Sequence, residues 1–146
     1  MKRAKYWIAT ICLLIFWAAV LFSVSSQKDC RESIIAYIQE NHLALDSFVE
    51  EILKTGTAPP EYNNWGVTYF PEFGMIQFDV KKGGFGTSTT YEGFYYSLED
   101  IPRGFQGADI EFQCNGVGWE WHDSNNDNSA YTEQIIDNWY WFEMHF

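Results

Sequence analysis

The stretch "WGVTYFPEFGMIQFDVKK" (residues 65–82) changes the periodicity of the chain and thereby decides its fold class. Ile76, Phe78 and Val80 alternate there with polar residues, and a period of two is typical of a strand with one buried face. The segment "PEFG" (71–74) interrupts the alternation and predicts a link between two strands. A β-sheet is therefore predicted to begin here.

Further strand signals follow toward the C-terminus. Asn115-Gly116 is a typical hairpin dipeptide between two of them. The glycine-rich segment 81–89 predicts a loop, and 99–107 an irregular connection. Together these features predict a mostly antiparallel sheet of five or six strands, the later ones being "TYEGFYYSL" (90–98), "DIEFQC" (109–114), "VGWEWH" (117–122) and "NWYWFEMHF" (138–146).

An amphipathic helix is predicted before the sheet. Asp29 and Glu32 have the spacing of a capping box, so the helix should begin there. Gly56 is the candidate C-cap residue, so the predicted helix is about 25 residues long. One helix covering one sheet face indicates an α+β fold, with an apolar stripe formed by Ile34, Ile35, Ile38, Leu45, Phe48, Val49, Ile52 and Leu53.

The first 24 residues resemble an export or anchoring signal. Residues 1–5 are basic, and residues 6–24 contain no charge. As a helix this run would be about 28 Å long, close to the hydrocarbon thickness of a bilayer. It predicts a single-pass transmembrane signal anchor, with 1–5 cytoplasmic and 25–146 forming an extracytoplasmic domain. A cleaved signal peptide ending near Ser25 is the alternative, and the protein would then be secreted.

The charge of the chain limits its partners. The whole sequence carries a net charge of −11, and from Ser26 onward six basic residues face all 20 acidic ones, a net charge of −14. Such a surface repels phosphate backbones, so nucleic acid is not expected as a partner.

The cysteines predict a disulfide. Cys12 lies within the apolar run, which leaves Cys30 and Cys114 as a possible pair in the exported domain. In an oxidising compartment these two would most simply be bonded, although two unpaired thiols remain an alternative.

The order of an apolar helix, an amphipathic helix and an antiparallel sheet resembles the layout of type IV pilin subunits. The pilin pattern of a Gly before the cleavage site, then an aromatic residue and a Glu early in the apolar run, is absent, since residues 6–24 hold no acid. The resemblance therefore concerns architecture alone, and no pilin residue or function is carried over to this chain.

The polar run between residues 122 and 130 has the oxygen ligands of a weak calcium site. Asp123, Asn125 and Asp127 occupy alternating positions, as in a calcium loop. The twelfth place, however, holds Gln134, whose neutral amide cannot supply a bidentate carboxylate. A solvated loop with local side-chain hydrogen bonds explains the run better, so no metal is predicted.

Catalysis has one candidate cluster, formed by Glu120, His122 and Asp123. A carboxylate-dependent hydrolase would need one of these acids in a cleft that raises its pKa. Common nucleophile motifs are missing, and "GGFG" (83–86) follows a strand without opening a helix, which indicates a hairpin loop. We therefore predict a protein that is not an enzyme and has no cofactor.

Tryptophan is the most unusual component of the predicted sheet. Four tryptophans lie on its last strands, and one helix covers only one face. An exposed aromatic surface would bind a protein partner or the apolar face of a glycan, unless loops cover it. The sequence thus favours a non-enzymatic binding or assembly module, with a carbohydrate-binding module as the alternative, the surface being formed by Trp119, Trp121, Trp139 and Trp141.

Overall fold

The computed structural model describes the backbone of residues 2–146 and the side chains of Leu13, Ile15 and residues 30–146 except Phe85. The chain divides into two compact units, Met1–Ser33 and Ile34–Phe146. The second unit contains the whole sheet and the part of the helix that packs on it. The predicted domain boundaries at residues 5 and 24 stay predictions.

Helix α1 extends from Lys2 to Thr55. The predicted helix start at Asp29 is therefore wrong, because the backbone is helical on both sides of it and the capping-box residues lie inside the helix. The predicted end is confirmed. Gly56 has a φ of 69°, and its N–H donates to the carbonyl of Ile52 at 2.8 Å, as in a left-handed C-cap.

The predicted membrane anchor requires correction. Among the helical residues whose side chains are described, no stretch is long and apolar enough to cross a bilayer. The described part of α1 carries charges at intervals from Arg31 to Lys54, which excludes a continuous apolar span there. The structure therefore contradicts the single-pass anchor and the location that followed from it. Apart from Leu13 and Ile15, the side chains of 6–24 lie outside the described residues.

The sheet has eight antiparallel strands, not five or six. Their order is β1-β2-β3-β4-β8-β7-β6-β5, so two four-stranded meanders meet where β4 pairs with β8. The strands are β1 (Glu61–Tyr62), β2 (Trp65–Phe70), β3 (Met75–Phe85), β4 (Ser88–Ser97), β5 (Gln113–Asn115), β6 (Gly118–His122), β7 (Ser129–Ile136) and β8 (Trp139–His145).

Several strand predictions are confirmed and others need correction. β2 has the predicted bounds, and β3 and β4 extend into the segment predicted as a glycine-rich loop. The predicted strand at 109–114 is reduced to β5. β7 was missed, because its polar residues follow directly on the Asn-rich run and its alternation is weak.

Tight turns join the hairpins at both edges of the sheet. Asn63 and Asn64 have φ values of 51° and 65°, as a type I′ turn requires, and they connect β1 to β2. The predicted hairpin at Asn115-Gly116 is confirmed, with its tip one residue later. Asn115 pairs with Gly118, so Gly116 and Val117 form the turn.

One face of the sheet packs against the 34–55 part of α1. Phe78 and Phe94 stack with their ring centroids 4.5 Å apart, and Phe48 of the helix lies 6.0 Å from Phe78. Trp139 is fully buried, and its indole N–H donates to Asp46 on the helix at 2.8 Å. The helix contributes a buried stripe, as predicted, formed by Ile34, Ile38, Leu45, Val49 and Ile52.

The opposite face has a core of its own. Met75, Tyr95, Tyr140 and Phe142 are buried together, and the rings of Tyr95 and Tyr140 stack at 5.1 Å. Adjacent residues of β8 point to opposite faces of the sheet. The aromatic side chains on both faces of β8 are therefore covered. For this strand the structure shows the alternative named above, in which a connection covers the second face.

The predicted disulfide between Cys30 and Cys114 is wrong. Both side chains are described, and they are not bonded to each other. Cys114 lies in the middle of the edge strand β5 with its thiol exposed, whereas Cys30 is half-buried on α1. The disulfide was predicted because Cys30 and Cys114 were the two cysteines left outside the apolar run. A disulfide also requires the two sulfur atoms to lie close together in the fold, which the sequence spacing cannot test.

Candidate functional site

The connection between β4 and β5 crosses the face of the sheet opposite the helix. We call residues 98–112 the strap. Two side chains of the sheet hold it through its backbone. Gln77 accepts a hydrogen bond from the N–H of Gln106 at 2.8 Å, and the hydroxyl of Tyr95 accepts one from the N–H of Arg103 at 3.0 Å.

These two anchoring side chains are themselves held within the sheet. The amide of Gln77 donates to Asp79 at 2.7 Å, and the Tyr95 hydroxyl lies 2.9 Å from Thr132 Oγ1. Burial raises the pKa of Tyr95 above its ordinary value, so its hydroxyl is protonated at neutral pH. Because both residues are 1% exposed, each is a rigid attachment for the strap.

Aromatic packing adds to these hydrogen bonds. Phe105 of the strap lies 4.9 Å from Tyr91, 5.6 Å from Phe142 and 5.8 Å from Phe146 between ring centroids. Gly107 has a φ of 74°, and a Cβ there would lie 2.2 Å from Phe73 Cδ2. Glycine is therefore required for the strap to approach this closely.

A pocket of about 470 Å³ lies between the strap, the β2–β3 link, β6, the loop before β7 and the end of β8. We call it the strap pocket. Its volume is in the range of small-ligand sites, and aromatic or aliphatic side chains form most of its wall. The lining residues are Phe73, Phe105, Gln106, Gly107, Ala108, Ile110, Trp121, Asn128, Met144 and Phe146.

The polar groups of the strap pocket are two amides. Gln106 is exposed on the strap, and Asn128 ends the loop before β7, where its carbonyl accepts from the N–H of Asp123 at 2.9 Å. Among the described residues that line the pocket, none carries an acid, an amine, an imidazole or a thiol. The pocket can therefore hold an apolar group and orient it with neutral hydrogen bonds.

The four tryptophans predicted as a binding surface are not brought together. Trp139 and Trp141 are 0% and 3% exposed on the helix-side face. Trp119 and Trp121 are half-buried on the strap side, where Trp119 packs against Tyr140 at 6.0 Å. Of the four, Trp121 alone lines the strap pocket. The role of these tryptophans in ligand binding stays a prediction.

The loop for which a weak calcium site was the alternative is organised by its own hydrogen bonds. Asp123 accepts from the N–H of Asn125 at 2.9 Å and from the amide of Asn126 at 2.8 Å. These bonds lower the pKa of Asp123 below its ordinary value. Asn125 and Asp127 are exposed, and nowhere in the described range are three His, Cys, Asp or Glu side chains placed to hold a metal ion.

Glu120 and His122 of the catalytic alternative lie on the surface at the end of β6. His122 is 70% exposed, and its Nε2 is 3.8 Å from Glu120 Oε2. The same carboxylate accepts a hydrogen bond from Asn115 at 2.5 Å. Their side chains point to the face opposite the strap pocket, since Trp121 lies between them in the strand.

Two carboxylates on the helix-side face, one buried and one half-buried, were not predicted from the sequence. Glu92 is 2% exposed and lies 2.7 Å from the ammonium of Lys81. Glu143 lies 2.9 Å from Nε2 of His145. The sequence signal for the first of them was an acid, Glu92, inside the predicted strand 90–98, which is otherwise rich in aromatic residues. These contacts are internal to the sheet and give the acids structural partners.

The walls of the strap pocket were also missed, apart from Trp121. The segment 99–107 was predicted only as an irregular connection. The signal in the strap was a set of apolar residues, Ile101, Phe105 and Ile110, with glycines between them. A loop with this composition needs a surface on which to pack.

No protein-family model, no curated protein and no solved structure gives a significant match to this chain.

Proposed function

We propose that this protein is a non-enzymatic binding module that holds an apolar or aromatic group of a protein partner in the strap pocket. The observation that carries this proposal is the pocket itself, a cavity of about 470 Å³ whose wall includes Phe73, Phe105 and Trp121. Sites of this size and lining are the usual places where folded domains bind apolar groups.

A binding role fits the chemistry of the wall better than catalysis. The lining side chains supply packing surface and two amides, but no group that could transfer a proton or attack a substrate. Trp121 and the rings around it can contribute large contact areas at a low cost in conformational entropy. Aromatic side chains of this kind often dominate the binding energy of protein interfaces.

The second candidate is a carbohydrate-binding module, and one observation favours it. Gln106 and Asn128, two residues with side-chain amides, line the same pocket as Trp121. A sugar ring needs an aromatic surface for its apolar face and amides or hydroxyls for its own hydroxyl groups. The two candidates therefore share one site and differ in the ligand.

A pocket-filling variant tests the proposed site. Ala108 is exposed on the strap and lines the pocket, so Ala108→Trp should occupy it without removing a buried side chain. Val117 is 82% exposed at the β5–β6 turn and does not line it, which makes Val117→Trp the matched control. We expect the neutral dye N-phenylnaphthylamine to bind the natural protein and the control, and to lose at least tenfold in affinity with Ala108→Trp.

Equal dye binding by all three proteins would place the apolar site elsewhere and overturn the proposal. Carbohydrate binding is tested on the same proteins with a panel of neutral methyl glycosides. Glycoside-induced quenching of tryptophan fluorescence that disappears in Ala108→Trp would favour the second candidate over a protein partner.

A further inference from the structure

We infer that the strap pocket takes an aromatic or aliphatic side chain of a peptide in which lysine or arginine residues flank that side chain. This inference rests on the proposed function, because it assumes that the pocket is the binding site. It adds the charge of the partner, which the apolar wall alone does not define.

The first argument is the position of exposed carboxylates around the pocket. Asp109 stands between two lining residues of the strap, and Glu111 follows the second of them. On the other side, Asp127 directly precedes the lining residue Asn128. All three are exposed and are direct chain neighbours of lining residues, and we call them the rim acids.

The second argument is that two cations on the strap side of the sheet, Arg103 and Lys82, already have partners. The guanidinium of Arg103 lies 2.6 Å from Glu99, and the ammonium of Lys82 lies over the ring of Tyr91 at 5.1 Å from its centroid. The chain as a whole carries a net charge of −11. The rim acids therefore add to a negative field that attracts cations and repels anionic ligands.

The third argument concerns the class of molecule. An apolar wall with only two amides leaves a small cation without ligands, since no carboxylate lines the pocket itself. A neutral glycan can donate hydrogen bonds to the rim acids but gains no attraction from their negative charge. A peptide can place one apolar side chain in the pocket and the positive groups beside it near Asp109, Glu111 and Asp127, so it uses both features.

Three synthetic peptides of five residues, all with blocked ends, separate these contributions. The first has a central phenylalanine between pairs of lysines, the second replaces the lysines with glutamates, and the third replaces the phenylalanine with serine. We expect measurable binding of the first peptide alone, by isothermal titration at 20 mM salt. Its dissociation constant should rise at least threefold at 200 mM salt, as screening predicts.

Variants of the exposed acids test whether these side chains cause the preference for the lysine peptide. The double variant Asp109→Asn, Asp127→Asn should weaken the first peptide about threefold or more, a size typical of exposed ion pairs, and should leave N-phenylnaphthylamine binding unchanged. The double variant Glu40→Gln, Glu61→Gln removes two exposed acids, one on α1 and one on β1 at the other edge of the sheet, and is the charge-matched control.

The possible results are distinguishable. If the dye binds but the lysine and glutamate peptides bind equally, the inferred charge preference is wrong and the proposed site stands. Binding of the serine peptide as tightly as the phenylalanine peptide would show a purely electrostatic contact and overturn the inference. If Ala108→Trp changes neither dye nor peptide binding, the inference and the proposed function both fail.

Discussion

The side-chain oxygen of Gln77 accepts a hydrogen bond from the backbone N–H of Gln106 at 2.8 Å, which ties the strap to the middle of the sheet. The two residues are 29 positions apart, and Gln77 is almost completely buried. One wall of the strap pocket therefore depends on a polar residue that does not itself line the pocket.

Gln77→Leu should lower the free energy of unfolding by about 1–3 kcal/mol, because the N–H of Gln106 loses its partner and the side chain of Asp79 loses a donor. Urea unfolding measures this change. Affinity for N-phenylnaphthylamine should fall as well, since the strap becomes less fixed. The same change at Gln39, which is exposed on the helix, should stay within about 0.5 kcal/mol. Equal effects at both sites would contradict the attachment.

Gly107→Ala should destabilise the protein by about 1–3 kcal/mol and distort the strap pocket. Two causes combine, a positive φ of 74° and the contact of the new Cβ with the ring of Phe73. Gly116→Ala is the control, because Gly116 has a φ of 63° but nothing within 4 Å of the added Cβ. The control should show the backbone cost of about 1 kcal/mol and unchanged dye binding. Similar dye affinities for both variants would argue against the tight approach at Phe73.

Asp46→Ala should cost about 1–3 kcal/mol of unfolding free energy, because it leaves the buried indole N–H of Trp139 without its acceptor. Asp46→Asn keeps an acceptor oxygen and should recover much of the loss. In the double variant with Trp139→Phe, the cost of Asp46→Ala should shrink, as a thermodynamic cycle measures. Strict additivity of the two changes would mean that the bond contributes nothing.

Asp79→Asn should stabilise the protein at neutral pH, with an advantage that shrinks as the pH falls. Burial raises the pKa of Asp79 above its ordinary value of 3.8, so the folded state holds a proton more tightly than the unfolded chain does. The natural protein therefore gains stability as the pH falls from neutral through this raised pKa. Urea unfolding of both proteins at pH 7 and at pH 4 measures the difference.

Asp123→Asn should change the stability of the protein with pH in the opposite direction from Asp79→Asn. Hydrogen bonds from Asn126 and Asn125 lower the pKa of Asp123, so the carboxylate stabilises the folded state at neutral pH, and this contribution is lost as the pH falls through the ordinary pKa and then the lowered one. Asp123→Asn should therefore destabilise at pH 7 and become neutral in strong acid. A pH dependence of the same sign for both variants would show that at least one of the two pKa directions is wrong.

The sequence predicted correctly those elements that depend on residues close together in the chain, such as a strand with alternating polarity, a helix end and a tight turn. The alternation at 65–70 gave β2 its bounds, and Gly56 marked the end of α1. The Asn115-Gly116 pair predicted a real hairpin. β7 carries no such mark, because Tyr131, Glu133 and Gln134 break the contrast between its two faces. The number of strands was consequently too low.

The site was less predictable than the fold, since contacts between distant residues create it. Trp121 was singled out from its composition alone, whereas Phe73, Phe105 and Phe146 meet only when the strap crosses the sheet. Trp139 and Trp141 looked available because the helix can cover just one face. The sequence did not indicate that these two lie on the helix-side face and that a connection covers the other.

The seam between β4 and β8 has a consequence for how the chain reaches this structure. Each four-stranded meander is built from neighbours in sequence and can form early from local contacts. The seam instead joins residues as far apart as Thr90 and His145, 55 positions along the chain, and closing so large a loop is entropically slow. β8, already paired with β7, must also pair with β4 before either half has a complete interior. The rate of folding should therefore be set by one late docking event, and substitutions along this seam should slow folding more than those in the outer hairpins.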